Sequence, residues 1–149
     1  MRVEDVFSRD VRLVGPNQAL VEAARDMLAF HVGALVVVDP RDNRRRPVGI
    51  LTDRDIVRGQ LNLGADLFCL TVGDVMTPEP LTLTADIDII TAIEALNAKA
   101  VRRAPVVDRS GAVIGIVTLD DLLPELAEEL RSLASLMGGQ ARQEHRARS

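Results

Sequence analysis

The hydrophobic positions in the first third of the chain change from helical spacing to strand spacing. Apolar residues that share one helical face predict a helix over residues 18–30. They are Leu20, Ala24, Met27 and Leu28. Two runs rich in β-branched residues follow at 35–38 and 48–51, and they predict a strand hairpin. A second helix is predicted to begin after Thr52.

The same order of elements returns in the second half of the chain, so the sequence contains an internal repeat. Val3 corresponds to Val72 at an offset of 69 residues, and Thr52 corresponds to Thr118 at an offset of 66. The second copy has therefore lost three residues, at the place where the first copy carries the arginine-rich run 41–46.

The second copy predicts matching elements. Strands are expected at 105–107 and 113–117. A helix is expected before these strands, with Asp86 as its N-cap. The apolar face of that helix is formed by Ile89, Ile90, Ile93 and Leu96. Each copy thus reads β-α-β-β-α, which is typical of a small α/β (α+β) unit.

A copy of about sixty residues buries little core alone, so two pseudo-symmetric copies are expected to pack face to face through their sheets. We define copy 1 as residues 1–62 and copy 2 as residues 72–130, with a linker at 63–71. Residues 131–149 are expected to be the end of the last helix and a disordered tail.

The last helix carries a leucine face and is expected to end at Gly138-Gly139. The leucines, spaced by three or four residues, are Leu122, Leu126, Leu130, Leu133 and Leu136. This face either closes the core or, on its C-terminal half, contacts a partner. The spacing alone leaves both interpretations open.

Composition narrows the classes of function. The 149 residues include three Phe but no Tyr or Trp, and the net charge is −4, so neither a nucleic-acid surface nor a membrane surface is expected. The one cysteine, Cys69, is expected to be a buried thiol in a protein of a reducing compartment. With no signal sequence and no apolar run of spanning length, the sequence predicts a cytoplasmic protein.

Catalytic chemistry is not predicted. The two histidines, His31 and His145, are far apart in sequence and have no metal-ligand spacing with Cys69. No nucleophile motif and no phosphate-loop pattern is present. We therefore expect no catalytic residues, no metal site and no required cofactor.

A Thr-x-x-Asp motif stands at the end of a predicted strand in each copy, as Thr52 to Asp55 and Thr118 to Asp121. One interpretation is a helix capping box. The motif also suits a nucleotide, because a helix start favours phosphate and a carboxylate accepts hydrogen bonds from a ribose diol. The two interpretations are compatible.

Several segments together resemble a tandem pair of CBS motifs, the Bateman module named after cystathionine β-synthase. The segments are Asp74-Val75-Met76-Thr77-Pro78, residues 32–39, residues 101–108 and both Gly-Ile-x-Thr-x-x-Asp stretches. The chain is most similar to small stand-alone two-CBS proteins of bacteria. The resemblance implies two clefts between the copies that bind adenosine-containing ligands.

The family pattern places residues from both copies in each cleft. Site A would combine Ile50, Thr52, Arg54 and Asp55 with Arg102, Arg103, Ala104 and Pro105. Site B would combine Ile116, Thr118 and Asp121 with Val32, Gly33 and Ala34. Because site A gathers three guanidinium groups and site B carries Asp120 in place of Arg54, we expect a phosphorylated nucleotide in site A only. Site B is expected to be empty or to take a less anionic nucleoside.

The resemblance implies a non-catalytic regulatory module that binds an adenine nucleotide such as AMP, ADP or ATP as its regulatory ligand. It also implies a homodimer formed through the helices and an unknown protein partner that reads a conformational or oligomeric change. Two alternatives stay open. One is a ligand-free dimerisation or interaction protein, and the other is a sensor of S-adenosylmethionine or another adenosyl ligand.

Overall fold

Two small β-sheets and five α-helices form a mixed α/β structure, a computed structural model that describes residues 1–148 and the side chains of residues 1–139. Copy 1 contains β1 (Leu13–Val14), α1 (Leu20–Phe30), β2 (Ala34–Val38), β3 (Pro47–Thr52) and α2 (Asp53–Leu63). The second half contains α3 (Val72–Val75), β4 (Thr77–Pro78), β5 (Leu83–Thr84), α4 (Ile89–Ala98), β6 (Arg103–Val107), β7 (Val113–Thr118) and α5 (Leu119–Arg148). The predicted fold class is confirmed.

The strand hairpins lie where the sequence predicted them. In the first sheet the order is β1-β2-β3-β4, with β1 parallel to β2 and the other neighbours antiparallel. In the second sheet the order is β5-β6-β7, with β5 parallel to β6 and β6 antiparallel to β7. The central strands are buried apolar runs, as expected for strands covered by helices.

The start of each copy pairs with the sheet of the other copy. Strand β4, from copy 2, adds to β3 of copy 1 with Thr77 opposite Ile50. Conversely, Ser8 of copy 1 exchanges two backbone hydrogen bonds of 2.9 Å with Ile116 in β7. The sequence repeat gave no sign of this exchange, because it depends on pairing between distant segments.

The same exchange contributes one residue of each copy to the hydrophobic core of the other copy. Core 1 contains Val72 from copy 2 among residues that otherwise belong to copy 1 or the linker: Val14, Leu20, Ala23, Met27, Leu35, Val37, Leu51 and Leu70. Core 2 contains Val3 from copy 1 together with Leu83, Ile89, Ala92, Leu96, Ala104, Val106, Val117 and Leu122. Both valines are fully buried, so each copy supplies an apolar side chain that stabilises the other.

Two glycines make room for the exchanged segments. A Cβ atom at Gly115 would collide with the backbone oxygen of Ser8 and with the ring of Phe7. At the repeat-related Gly49, a Cβ atom would lie 2.5 Å from the sulfur of Met76. The absence of a side chain at both positions therefore permits close approach of the neighbouring segment.

The caps of the helices correct one prediction. Helix α4 is capped by Asp88, whose carboxylate accepts a 2.9 Å hydrogen bond from the amide of Thr91, and not by Asp86. That hydrogen bond lowers the pKa of Asp88 below its ordinary value. Asp86 instead accepts a 2.6 Å hydrogen bond from the hydroxyl of Thr84, in the loop before the helix.

Helix α5 differs from its expected length. It continues past Gly138 and Gly139 to Arg148, so the helix end predicted at the glycine pair is wrong. The tail expected to be disordered is helical over the same stretch, and Ser149 lies outside the described residues.

The leucine face of α5 divides into two parts. Leu122 is fully buried in core 2 and Leu126 packs against that core, whereas Leu130, Leu133 and Leu136 are 57–62% exposed. The N-terminal part therefore closes the core, and the C-terminal part presents apolar side chains at the surface.

Two further features bear on the predictions made above. Cys69 is exposed, so the expectation of a buried thiol is wrong; it follows an exposed Phe68 in a short 3-10 turn rather than a buried strand. Among the described residues, no helix combines the length and apolar character needed to cross a bilayer.

Candidate functional site

The start of α2 carries the capping box that the sequence predicted. The Thr52 hydroxyl oxygen accepts a 3.0 Å hydrogen bond from the amide of Asp55, and the Asp55 carboxylate accepts a 2.9 Å hydrogen bond from the amide of Thr52. Asp55 also accepts a 3.2 Å hydrogen bond from the hydroxyl of Thr77, on β4. Both carboxylate oxygens are thus oriented by protein donors, and each keeps a further lone pair.

A cleft opens beside this capping box. It has a volume of about 280 Å³ and is lined by both copies: Ile50, Thr52, Asp53, Arg54, Asp55, Arg58, Thr77, Ala100, Val101, Arg102 and Arg103. We call it the site A cleft. Six of the eight residues expected in site A line it.

The other two expected residues lie elsewhere. Ala104 is fully buried in core 2, and Pro105 is buried in β6 opposite Ile116. Ala104 therefore belongs to the interior of copy 2, whereas Pro105, at the alternate position of β6, is buried but belongs to neither core. The apolar wall of the cleft is formed instead by Ile50 with Ala100 and Val101, which lie in the turn before β6.

The cleft has an excess of positive charge. Four arginines, Arg54, Arg58, Arg102 and Arg103, line it together with two aspartates, Asp53 and Asp55, which gives a formal charge of +2. Guanidinium groups bind phosphate through paired hydrogen bonds, so this part of the cleft suits a phosphorylated ligand.

The backbone amides at the start of α2 make a smaller contribution than the motif suggested. The first three N–H groups donate to protein oxygens: Asp53 to the carbonyl of Gly33 (3.2 Å), Arg54 to the side chain of Asp53 (2.8 Å), and Asp55 to Thr52 (3.0 Å). These three amides are therefore already paired within the protein. The donors in this cleft that remain suited to an anion are the guanidinium groups.

Arg103 reaches from copy 2 to the start of β2 in copy 1. A Cβ atom at Gly33 would lie 3.3 Å from Nη1 of Arg103 and 4.0 Å from the carboxylate of Asp53. Gly33 thus leaves room for this guanidinium. Because Gly33 corresponds to Arg102 in the repeat, the two copies are chemically unequal at this contact.

The residues expected in site B lie in several elements of the two copies. Val32 packs against core 1, Gly33 lies against Arg103, and Ala34 pairs with Thr52 across the hairpin. On the side of copy 2, Ile116 pairs with Ser8 and Thr118 pairs with Arg103. Thr118 also accepts a 3.2 Å hydrogen bond from the amide of Asp121, which is exposed. Val32 thus lies at a core, Gly33 at the contact with Arg103, and Asp121 at a helix cap, while Ala34, Ile116 and Thr118 lie in three different strand pairs.

Asp120 has a cationic partner. Its Oδ1 lies 2.8 Å from Nη2 of Arg102, and both side chains are more than half exposed. Arg102 is therefore shared between the rim of the site A cleft and the start of α5. Sequence reasoning assigned this arginine to site A alone.

Sequence reasoning missed five lining residues: Asp53, Arg58, Thr77, Ala100 and Val101. Arg58 follows Arg54 by four residues, and this spacing on one helix could have identified it. Thr77 had no such signal, because its position depends on the pairing of β4 with β3.

Comparison with known proteins accounts for the repeat. The family model described as the CBS domain matches residues 3–62 and 72–128. The chain belongs to the CBS-domain family. Its two CBS domains follow each other in one chain, as in the CBS domain pairs among its structural neighbours.

Relatives of different lengths share the CBS-domain pair. YhcV of Bacillus subtilis, a CBS domain-containing protein, is 34% identical over 80% of this chain and 81% of its own length. The uncharacterized protein MK0525 of Methanopyrus kandleri is 34% identical over 81% of this chain and 60% of its own length. Inosine-5′-monophosphate dehydrogenase of Methanocaldococcus jannaschii is 33% identical, but the chain spans only 23% of that enzyme.

Solved CBS-domain structures have the same fold. The protein TA0289 of Thermoplasma acidophilum matches with a TM-score of 0.75 and 30% identity, over 82% of this chain and 67% of its own. CBSX2 in complex with AMP matches with a TM-score of 0.71 and 27% identity, covering 85% and 96%. The CBS domain pair of MJ0100, in complex with 5′-methylthioadenosine and S-adenosyl-L-methionine, matches at 0.73 and 25%, covering 85% and 99%.

Proposed function

We propose that this CBS-domain pair is a non-catalytic regulatory module that binds an adenine nucleotide in the site A cleft. The observation that carries the proposal is the convergence of four arginines and the Thr52–Asp55 pair on one cleft between the copies. The nucleotide acts as a regulatory ligand, and no further cofactor is required. We also propose a cytoplasmic location, which fits a chain with one free thiol.

Each part of a nucleotide has a chemical counterpart in the cleft. Phosphate oxygens would accept hydrogen bonds from the guanidinium groups, and a ribose diol would donate to the remaining lone pairs of Asp55. Adenine would pack between Ile50 and the apolar turn at Ala100 and Val101. At about 280 Å³ the cleft is near the lower end of the roughly 300–1,000 Å³ range of ligand pockets, which suits a mononucleotide.

Ligands of the relatives support an adenosyl compound. CBSX2 binds AMP, and the MJ0100 pair binds 5′-methylthioadenosine and S-adenosyl-L-methionine. In this chain the formal charge of +2 around the cleft favours AMP, ADP or ATP over S-adenosylmethionine, because the sulfonium of the latter would be repelled.

Binding in this cleft would couple the two copies. Residues 50–58 belong to copy 1 and residues 100–103 to copy 2, so a ligand that touches both stabilises one relative position of the copies. We propose that a protein partner, not yet identified, reads this change. The module is proposed to act as a homodimer, because α5 exposes Leu130, Leu133 and Met137.

Titration calorimetry with AMP and ATP tests the proposal. Asp55→Asn keeps the shape of the capping box but removes the charge that would bind the ribose, and Asp121→Asn is the matched change at site B. Since a hydrogen bond to a charged group contributes about 1.5–3 kcal/mol, we expect Asp55→Asn to weaken AMP binding roughly 10- to 100-fold. Asp121→Asn is expected to have little effect.

Two outcomes would contradict the proposal in different ways. Equal losses in both variants would contradict the assignment of the nucleotide to site A. If the wild-type chain bound none of the adenine compounds, and none raised its melting temperature, the alternative of a ligand-free interaction protein would be supported.

A further inference from the structure

Arg102 occupies a position between two competing anionic partners. Its backbone is fixed at the start of α5, since its carbonyl oxygen accepts a 2.7 Å hydrogen bond from the amide of Leu119. Its side chain lines the site A cleft, yet its Nη2 lies 2.8 Å from Oδ1 of Asp120. The guanidinium therefore has a protein carboxylate as its partner at the rim of the cleft.

The other arginines of the cleft differ from Arg102. Among the residues whose side chains the structure describes, Arg54, Arg58 and Arg103 form no ion pair within 4.0 Å. A phosphate entering the cleft does not compete with a carboxylate for these three arginines, whereas it must compete with Asp120 for the fourth.

We propose that Asp120 is a specificity-determining residue. Its ion pair with Arg102 lowers the affinity of the site A cleft for phosphate. Asp120 is outside the cleft lining, so it acts through Arg102 and not by touching the ligand. The proposal rests on the nucleotide-binding function proposed above and deepens it. It predicts that Asp120 reduces the affinity for anionic ligands and leaves the affinity for neutral ligands unchanged.

The physical basis is the weakness of an exposed ion pair. The side chains of Arg102 and Asp120 are 66% and 75% exposed, and such pairs contribute little because water screens them. A phosphate that also contacts Arg54 and Arg103 can therefore displace Asp120. The carboxylate lowers the affinity by a small factor and does not block the cleft.

The repeat shows that the ion pair between Arg102 and Asp120 has no counterpart in copy 1. The residue of copy 1 that corresponds to Arg102 is Gly33, and the residue that corresponds to Asp120 is Arg54. Copy 1 thus has neither the guanidinium nor the carboxylate at these positions. The competition is a property of this sequence at site A and is not a consequence of the fold.

Calorimetry with ligands of increasing charge tests the proposal. The wild-type chain and Asp120→Asn are titrated with adenosine, AMP and ATP, and with inorganic pyrophosphate as a probe that lacks adenosine. Glu125→Gln, five residues further along α5, removes the same charge without an ion pair to Arg102 and serves as the control. We expect Asp120→Asn to tighten AMP, ATP and pyrophosphate binding about two- to fivefold and to leave adenosine unchanged.

A double-mutant cycle shows whether the effect passes through Arg102. Arg102→Gln alone should weaken binding of the charged ligands, and adding Asp120→Asn to it should then change nothing. The proposal is overturned if Asp120→Asn tightens binding equally in both backgrounds, or no more than Glu125→Gln does. Either result would indicate a general charge effect.

The pyrophosphate arm separates this proposal from the proposed function. If pyrophosphate binds and responds to Asp120→Asn while AMP binds no tighter than pyrophosphate, the role of Asp120 stands and nucleotide recognition is contradicted. If AMP binds but Asp120→Asn has no effect on any charged ligand, the role of Asp120 alone is contradicted. If neither probe binds the wild-type chain, both are contradicted.

Discussion

The hydroxyl of Thr77 donates a 3.2 Å hydrogen bond to Oδ1 of Asp55, across 22 residues of sequence and between the two copies of the repeat. Among the residues whose side chains the structure describes, Asp55 is the only buried charged one. It completes the capping box of α2 with Thr52, accepts a hydrogen bond from β4 of copy 2 and lines the site A cleft. The same carboxylate thus has two structural roles, in the capping box and in the bond to Thr77, and also lies at the cleft.

Replacing Asp55 is expected to lower stability as well as ligand binding. Asp55→Ala leaves the amide of Thr52 and the hydroxyl of Thr77 without their acceptor, at a cost of about 1–2 kcal/mol. The repeat-related Asp121→Ala should cost less than about 0.5 kcal/mol, because Asp121 is exposed. Urea unfolding of both variants without ligand measures the difference. Equal losses would contradict the structural role of Asp55.

The sequence was sufficient to predict the elements that depend on residues close together in the chain. The capping box at Thr52 and Asp55 and both strand hairpins follow from short spacings, and the structure confirms them. The exchange of Val3 and Val72 between the cores was not predictable, because a repeat shows which segments correspond but not which segments touch. Thr77 was missed as a cleft residue for the same reason.

The exposed and buried sides of short segments were also hard to predict. The apolar run around Cys69 suggested burial, but its residues form a 3-10 turn that exposes Phe68 and Cys69. The glycine pair in α5 suggested a helix end, yet nothing lies within 4 Å of a Cβ atom at Gly138 or Gly139, and the helix continues. Glycine weakens a helix by only about 1 kcal/mol, which neighbouring residues can offset.

The two exchanged valines, Val3 and Val72, lead to a prediction about which core each substitution destabilises. Val3→Ala should destabilise core 2 and Val72→Ala should destabilise core 1, each by about 1–2 kcal/mol. Hydrogen exchange read by mass spectrometry should therefore show faster exchange in β6 and β7 for Val3→Ala. For Val72→Ala the faster exchange should lie in β2 and β3. If each substitution affected its own copy instead, the exchange of segments would be contradicted.

The two close-approach glycines should differ in their tolerance of a methyl group. Gly115→Ala forces a collision with the backbone oxygen of Ser8, which cannot move without breaking its pairing with Ile116, so we expect a loss of about 1–3 kcal/mol. Gly49→Ala meets the flexible end of Met76 first and should cost less. Thermal unfolding of the two variants, measured side by side, tests this order. A larger loss for Gly49→Ala would contradict it.

The hydrogen bonds of Asp108 should make part of the folding stability depend on pH in the acid range. It accepts hydrogen bonds from the hydroxyl and amide of Ser110 (2.6 and 2.9 Å) and from the amide of Ala112 (3.1 Å), and these lower the pKa of its carboxyl. Because the folded-state pKa is the lower one, its contribution to stability is present above the unfolded-state pKa of about 3.9. That contribution is lost as the pH falls through the folded-state pKa.

Urea unfolding at pH values from 7 to 3 measures this contribution. Asp108→Asn keeps an acceptor oxygen for the turn but cannot titrate, so the wild-type chain should be the more stable at pH 7. The difference between the two should shrink as the pH falls below about 4. A difference that is independent of pH would show that the charge of Asp108 does not stabilise the turn.

The surface of α5 gives the last prediction, which concerns assembly. Leu123, Leu126, Leu130, Leu133 and Met137 follow one another at alternating steps of three and four residues, the spacing of a coiled-coil seam. Leu126 packs against core 2, but Leu130, Leu133 and Met137 are 57–68% exposed, so the C-terminal part of this seam is open in the single chain. Pairing with the same seam of a second chain would bury it, and Leu133→Glu should then shift sedimentation from dimer to monomer. Ser135→Glu adds the same charge to an exposed position two residues away, on another face of the helix, and should leave the dimer intact. If the wild-type chain sediments as a monomer at high concentration, or if both variants dissociate equally, the seam is not the dimer contact.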